Sequence, residues 1–193
     1  MIINSVGRSD LEEVSEVLAE AFQQDPVSSW VFPDPVRRRK IQPAFFHAFT
    51  TLALEIGGEV YLTGDRRATT VWFPPYSGDA EDDDDLLARF GALDADELER
   101  FAVLADVMAA NHPAGGPHWH LQFIGVLPDQ QQSGVGAALL THRLARMDIP
   151  AYLEASSERS PHLYERHGFR HVGEPYAPPG GPNLYPMWRE PQS

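Results

Sequence analysis

The most informative residues for chemistry are Gln131, Gly134 and Gly136, within Pro128-Asp129-Gln130-Gln131-Gln132-Ser133-Gly134-Val135-Gly136-Ala137. A nearly continuous apolar run, Trp119 to Leu127, precedes them, and an apolar helical pattern follows from Val135 to about Met147. That order predicts a buried strand, a tight loop and the N-terminus of a helix. The first turn of a helix carries N–H groups without intrahelical acceptors and the positive end of the dipole. Gly134 and Gly136 lack side chains, so an anion can approach that backbone closely. The stretch therefore reads as a phosphate or pyrophosphate cradle. A nucleotide P-loop would need Gly-Lys-Ser/Thr where Val135-Gly136-Ala137 stands, and a dinucleotide fingerprint would need a small residue at Leu139, so neither is favoured.

The elements that must position this cradle follow from periodicity. Ile2 to Val6 reads as a short strand. Ser9 and Glu12 have capping-box spacing before a helix whose apolar face is Leu11, Val14, Val17, Leu18, Ala21 and Phe22, ended by Asp25-Pro26. A second helical pattern runs from about Val36 to Ile56, with Pro43 expected to split or kink it and Gly57-Gly58 to stop it. Glu59 to Thr63 and Ala68 to Phe73 read as strands joined by a turn at Gly64–Arg67. Asp94 and Glu97 have cap spacing for a helix reaching about Ala110, and residues 111–117 form a linker. Ala151 to Ala155 is a further strand. Ser160-Pro161 starts a helix, with Ser160 as cap, that ends at Gly168. Phe169 to Tyr176 and Leu184 to Arg189 are expected to close the sheet, joined by the loop Pro178–Pro182. This alternation predicts an α/β fold with a mixed sheet.

Composition bounds the rest. The 193 residues fit one domain on the prior of about 150 residues per domain. With 42% hydrophobic and 22% charged residues the chain is neither disordered nor fibrous, and no apolar run reaches membrane-spanning length. Cysteine is absent, which excludes disulfides, thiolate metal sites and cysteine nucleophiles. Without a visible signal peptide, a cytoplasmic location is the expectation. The net charge of −13, with Lys40 the sole lysine, disfavours nucleic acid and anionic membranes and favours a cationic or amine partner. The acidic stretch Ser77 to Asp85 reads as a solvated loop leading into a helix, with a metal site as the sharper alternative.

The Q-x-x-G-x-G pattern of Gln131, Gly134 and Gly136, after a strand ending Val126-Leu127-Pro128, resembles the GNAT superfamily of N-acetyltransferases. A second signature, Leu163-Tyr164-Glu165-Arg166-His167-Gly168-Phe169, is similar to the family's Tyr-Glu-x-x-Gly-Phe element, and the two occur in family order with one strand between them. Tyr152-Leu153-Glu154-Ala155-Ser156, and Val71-Trp72 before Pro74-Pro75, resemble segments of the puromycin N-acetyltransferase group. The likeness is specific from Trp119 to Val172 and thin before it.

The resemblance implies a single domain: a mixed, mostly antiparallel central sheet flanked by helices. Residues 1–117 would shape the acceptor site, 118–176 would form the acetyl-CoA-binding core, and 183–190 a C-terminal strand. It implies that the backbone of Ile124, Gly125 and Val126 pairs with the pantetheine arm, an N–H there polarising the thioester carbonyl. Fixed donors of that kind contribute roughly 3 kcal/mol each. Gly125, inside a strand, is expected to mark a bulge. The pyrophosphate would lie on N–H groups of Gln131, Gln132, Ser133, Gly134, Val135, Gly136 and Ala137. Here the sequence departs from many relatives, which carry Lys or Arg where Gln132 and Ser133 stand; Arg159 or Arg166 would have to compensate. Ser160 replaces a common Asn that contacts the cofactor.

Acetyl transfer to an amine moves two protons, one off the amine and one onto the departing thiolate. Tyr164 matches the family's general acid. The base is open between Glu154, which shares a strand face with Tyr152 and Ser156, and His120, which shares one with His118. Arylalkylamine N-acetyltransferases carry two histidines on this strand; His120 matches one, and Gln122 replaces the other. A metal at His118 and His120 would lack a third ligand, so none is expected. His162, His167 and His171 read as surface residues, and Trp30, Phe32, Phe46, Trp72 and Phe73 as core or acceptor pocket. The sequence thus predicts direct acetyl transfer from acetyl-CoA to a small primary amine in a ternary complex, by a chain free to act as a homodimer. A peptide N-acetyltransferase and a non-catalytic acyl-CoA-binding module are the alternatives.

Overall fold

A seven-stranded sheet of order β1-β2-β3-β4-β5-β7-β6 organises the described residues of a computed structural model, which are 1–75 and 89–191. The acidic stretch Ser77 to Asp85 lies outside them. Strands β1 (Ile3–Ser5), β2 (Glu59–Thr63), β3 (Ala68–Phe73) and β4 (Trp119–Val126) are joined antiparallel, as are β5 (Ala151–Ala155), β7 (Tyr185–Arg189) and β6 (Arg170–His171). The single parallel pairing is β4 with β5. The α/β, mostly antiparallel architecture expected from the sequence is therefore present.

Alternation along the strands sorts two cores. Val60, Leu62 and Val71 face helices α1 (Leu11–Ala21), α2 (Pro26–Val31), α3 (Pro35–Glu55) and α4 (Ala95–Asn111). Trp72, Leu121 and Leu153 face the opposite side, with α5 (Val135–Leu144) and α6 (Pro161–Glu165). The first core centres on phenylalanines in edge-to-face contact, with Phe45, Phe46 and Phe49 of α3 meeting Phe32, Phe101 and Phe123. Phe32, Phe46 and Trp72 are core residues at 2% exposure or less; Trp30 and Phe73 remain half-buried.

Several local expectations need correction. The cap of α1 is not Ser9: a 3₁₀ turn, Arg8–Asp10, precedes the helix, and Asp10 takes the Gly7 N–H instead. Asp25-Pro26 both ends one helix and begins another, because the Asp25 carboxylate accepts the Ser28 N–H and Pro26 needs no acceptor. Pro43 does not split α3, whose packing against α1 and the phenylalanine core outweighs one missing hydrogen bond. The expected strand Phe169 to Tyr176 reduces to β6 and a lone bridge, Tyr176 to Leu184. Asp94 and Glu97 do form the reciprocal cap of α4, and Arg37 clamps Glu97.

Candidate active site

The site begins where β4 and β5 part. They pair only at Trp119–Ala151 and His120–Tyr152; from Leu121 onward β4 is paired on its β3 side alone. One side of the strand carrying Ile124, Gly125 and Val126 is thus open. The bulge expected at Gly125 lies elsewhere: Gly125 stands in register with Thr69, and the irregularity opposite Val71 and Trp72 leaves Gln122 without a partner. Gly125 is small for packing, since a Cβ there would lie 3.0 Å from Leu18 and 3.2 Å from Ala21 of α1.

The loop after β4 turns through a 3₁₀ segment, Pro128–Gln130, into α5. Gln131 Nε2 donates to the Val126 carbonyl at 3.1 Å and closes the loop onto the strand end. Gln132 and Gly134 have φ of 62° and 89°, and only the latter residue adopts that region freely. The first helical bond runs from Ala138 N–H to Gly134 O. The N–H groups of Val135, Gly136 and Ala137 therefore have no acceptor within the helix. Ser133 donates its hydroxyl to the Gln130 carbonyl. Asp129, the loop's own negative charge, is paired with Arg67. Arg159 and Arg166 are exposed and make no ion pair among the described residues. Ser160 does not cap α6; its hydroxyl shares a 2.6 Å bond with Ser157. An unbonded helix turn beside an open strand edge is the donor set a diphosphate and an amide-bearing arm require.

Beneath the opening, β5 presents Tyr152 and Glu154 on one face, and Ser156 follows the strand's end. Glu154 accepts from Tyr152 at 2.8 Å and Tyr176 at 3.0 Å on Oε1, and lies 2.9 Å from His120 Nε2 through Oε2. Burial pushes its carboxyl up, but the His120 charge and these three hydrogen bonds outweigh it and hold the group below its ordinary value. Its side chain is 2% exposed and that of His120, which it meets, 16%. The same burial and the Glu154 charge keep Tyr152 and Tyr176 protonated, as hydrogen-bond donors.

Tyr164, on α6, is buried, and its hydroxyl has no hydrogen-bond partner among the described residues. Burial first, and the Asp25 carboxylate second, push its phenol well above the ordinary 10. Asp25 is a residue the sequence analysis passed over as a helix end. Ser156 donates to it across the sheet, and burial pushes its carboxyl up against the hydrogen bonds from Ser156, Ser28 and Val27. No spacing rule links Asp25 to Ser156; only the fold brings them together.

His112 was also missed, lying in the linker. Its Nε2 is 3.0 Å from His118 Nε2, and His118 Nδ1 donates to Gly116 O at 2.7 Å. Burial lowers both imidazoles, so the pair is neutral and walls the site beside Tyr152 and Trp188. Among the described residues no group of three His, Asp or Glu side chains has metal-holding geometry, and no helix is long and apolar enough to cross a membrane.

Comparison with known proteins adds a likeness. Residues 80–171 match the acetyltransferase (GNAT) domain. A Corynebacterium glutamicum structure described as histone acetyltransferase HPA2 and related acetyltransferase superimposes with a TM-score of 0.74 at 26% identity, over 99% of this chain and 96% of that one. Arylalkylamine N-acetyltransferase 2 from Aedes aegypti gives 0.65 at 14% identity, over 99% of both chains. An agmatine N-acetyltransferase gives 0.62 at 15%, over 98% of both.

Proposed function

We propose, for a chain that carries a GNAT acetyltransferase domain, that it moves an acetyl group from acetyl-CoA directly to the primary amine of a small molecule while both are bound. The observation that carries this reading is the parting of β4 from β5 between an unbonded helix turn and the His120–Glu154 pair. The match of residues 80–171 to the GNAT acetyltransferase domain supports the acetyl donor, and the fold's likeness to proteins described as agmatine and arylalkylamine N-acetyltransferases supports a small amine. The cytoplasm, where a thioester carrier is at hand, is the compartment assigned.

The residues present fit the carrier. The N–H groups of Val135, Gly136 and Ala137, with Gln131, Gln132, Ser133 and Gly134 shaping the approach, would hold the diphosphate, and the open edge at Ile124, Gly125 and Val126 would hold the pantetheine arm. Ser160, bonded to Ser157, would flank it. When bound, the carrier supplies an activated acetyl thioester. His120 then has one nitrogen committed to Glu154, which leaves Nδ1 to take the proton the amine must lose before attack. Tyr164 keeps its proton at neutral pH and offers it to the sulfur of the departing thiolate. Burial, with the Asp25 carboxylate second, holds Tyr164 in that form. One N–H on the open edge of β4 would meet the negative oxygen as attack proceeds.

The test is release of free thiol from acetyl-CoA by the purified chain against aminoglycosides, aminonucleosides, polyamines and arylalkylamines. Amine-dependent release with at least one class is expected. Release only with basic peptides would make it a protein acetyltransferase, and none with any amine would leave an acyl-CoA-binding module.

A further inference from the structure

We propose that the cleft between the end of α1 and the first turns of α3 binds a small organic anion, a carboxylate or phosphate with an apolar body. The cleft belongs to the helices that cover one face of the sheet, while α5 and its unbonded turn lie on the opposite face. The ligand is therefore not the diphosphate of the carrier, and the inference stands without that assignment.

A chain of net charge −13 gathers four of its fifteen cations in Arg37-Arg38-Arg39-Lys40. On a helix four consecutive side chains do not share one face, and here their surroundings differ. Arg37 turns to Asp94 and Glu97. Arg38, Arg39 and Lys40 line the cleft, with Val36 beside them and Gln23 and Gln24 from the end of α1. Its volume is about 580 Å³, within the range of small-molecule sites.

Arg38 is 9% exposed. Its Nη1 donates to the Phe32 carbonyl at 2.7 Å, and its buried Nε has no acceptor. No carboxylate pairs with it among the described residues. A guanidinium withdrawn from water needs a counter-charge or a full set of acceptors, and one neutral carbonyl supplies neither. An anion in the cleft supplies the counter-charge. Lys40 is exposed and likewise has no ion pair among the described residues, whereas Arg39 is held by Glu20 at 2.8 Å. Gln23 offers no free donor, because its Nε2 is spent on the Ala19 carbonyl and on Gln42 Oε1. Recognition of the anion thus falls to Arg38 and Lys40. Val36, 80% exposed on the same cleft, gives the ligand's apolar body a surface to cover.

The experiment is calorimetric titration with phenyl phosphate in the presence of saturating coenzyme A, so that two anions do not compete for one site. Wild type should bind phenyl phosphate saturably, and inorganic phosphate at least about threefold more weakly because it leaves Val36 uncovered. Arg38→Gln should weaken phenyl phosphate at least about tenfold, and the exposed Lys40→Gln about threefold. Glu20→Gln, which frees Arg39, should tighten it about twofold. Arg146→Gln, an exposed cation outside the cleft, should bind as wild type does and so exclude a general charge effect. If Arg38→Gln does not fold, the opposite signs expected of Lys40→Gln and Glu20→Gln decide. No saturable binding by wild type, or binding that neither cleft variant changes, overturns the proposal. In the thiol-release assay, competition between phenyl phosphate and the amine marks the anion as a group of the acceptor itself, and inhibition or activation without competition marks it as a separate molecule.

Discussion

His120 and Glu154 stand on neighbouring parallel strands, and their side chains meet at 2.9 Å where the two backbones cease to pair. The carboxylate is buried and receives two tyrosine hydroxyls besides the imidazole, so the ring is fixed through Nε2 and Nδ1 has no hydrogen-bond partner among the described residues. A fixed tautomer at the mouth of an opening is what a proton acceptor requires.

Glu154→Gln tests that relationship. The amide presents N–H where the carboxylate accepted, so His120 loses its anchor; kcat should fall at least about tenfold, with KM for acetyl-CoA little changed. The carboxyl is held below its ordinary value of 4.5 in the folded chain. Its contribution to stability is therefore complete above the unfolded value and lost as pH falls through the folded one. Denaturant unfolding at a series of acidic pH values should show this loss in wild type and a shallower dependence in the variant.

Tyr164→Phe removes the acid and leaves the ring. Because the hydroxyl has no protein partner among the described residues, the fold should lose little, while kcat drops at least about tenfold and acetyl-CoA affinity is unchanged. Unchanged turnover would remove Tyr164 from the mechanism.

Gly134→Ala and Gly136→Ala should separate folding from binding. A Cβ at Gly134 meets open space but is strained at φ 89°, so this variant should lose about 1–2 kcal/mol of stability. A Cβ at Gly136 meets only ordinary contacts, the nearest 3.5 Å from Leu163. The Gly136 variant should melt like wild type yet bind coenzyme A at least about tenfold more weakly, because its methyl would lie against Ile124, Val126 and Leu163, beside the strand edge proposed for the pantetheine arm. Calorimetry and thermal melting on both variants read the two effects apart.

Much of this was legible in the sequence because it is local. β2, β3 and β5 have the expected bounds, since apolar alternation and turn glycines are adjacent in the chain. The turn into α5 was legible because its signals are local: Gly134 takes the positive φ of 89° there, and Gln131 closes the loop through its side chain on the Val126 carbonyl. What stayed hidden is what the sheet assembles. Asp25 reaches Ser156, and Tyr176 reaches Glu154, across separations that no periodicity encodes. His167 looked exposed because its second contact, Ala137, lies on another helix. Gly125 was misread as a bulge because a strand glycine can equally make room for a helix, here Leu18 of α1.

The most direct measurement is a crystal structure with coenzyme A bound. The account predicts the diphosphate on the N–H groups of Val135, Gly136 and Ala137, and the pantetheine arm along Ile124 to Val126 between β4 and β5. A carrier seated anywhere else, leaving that opening empty, would contradict it.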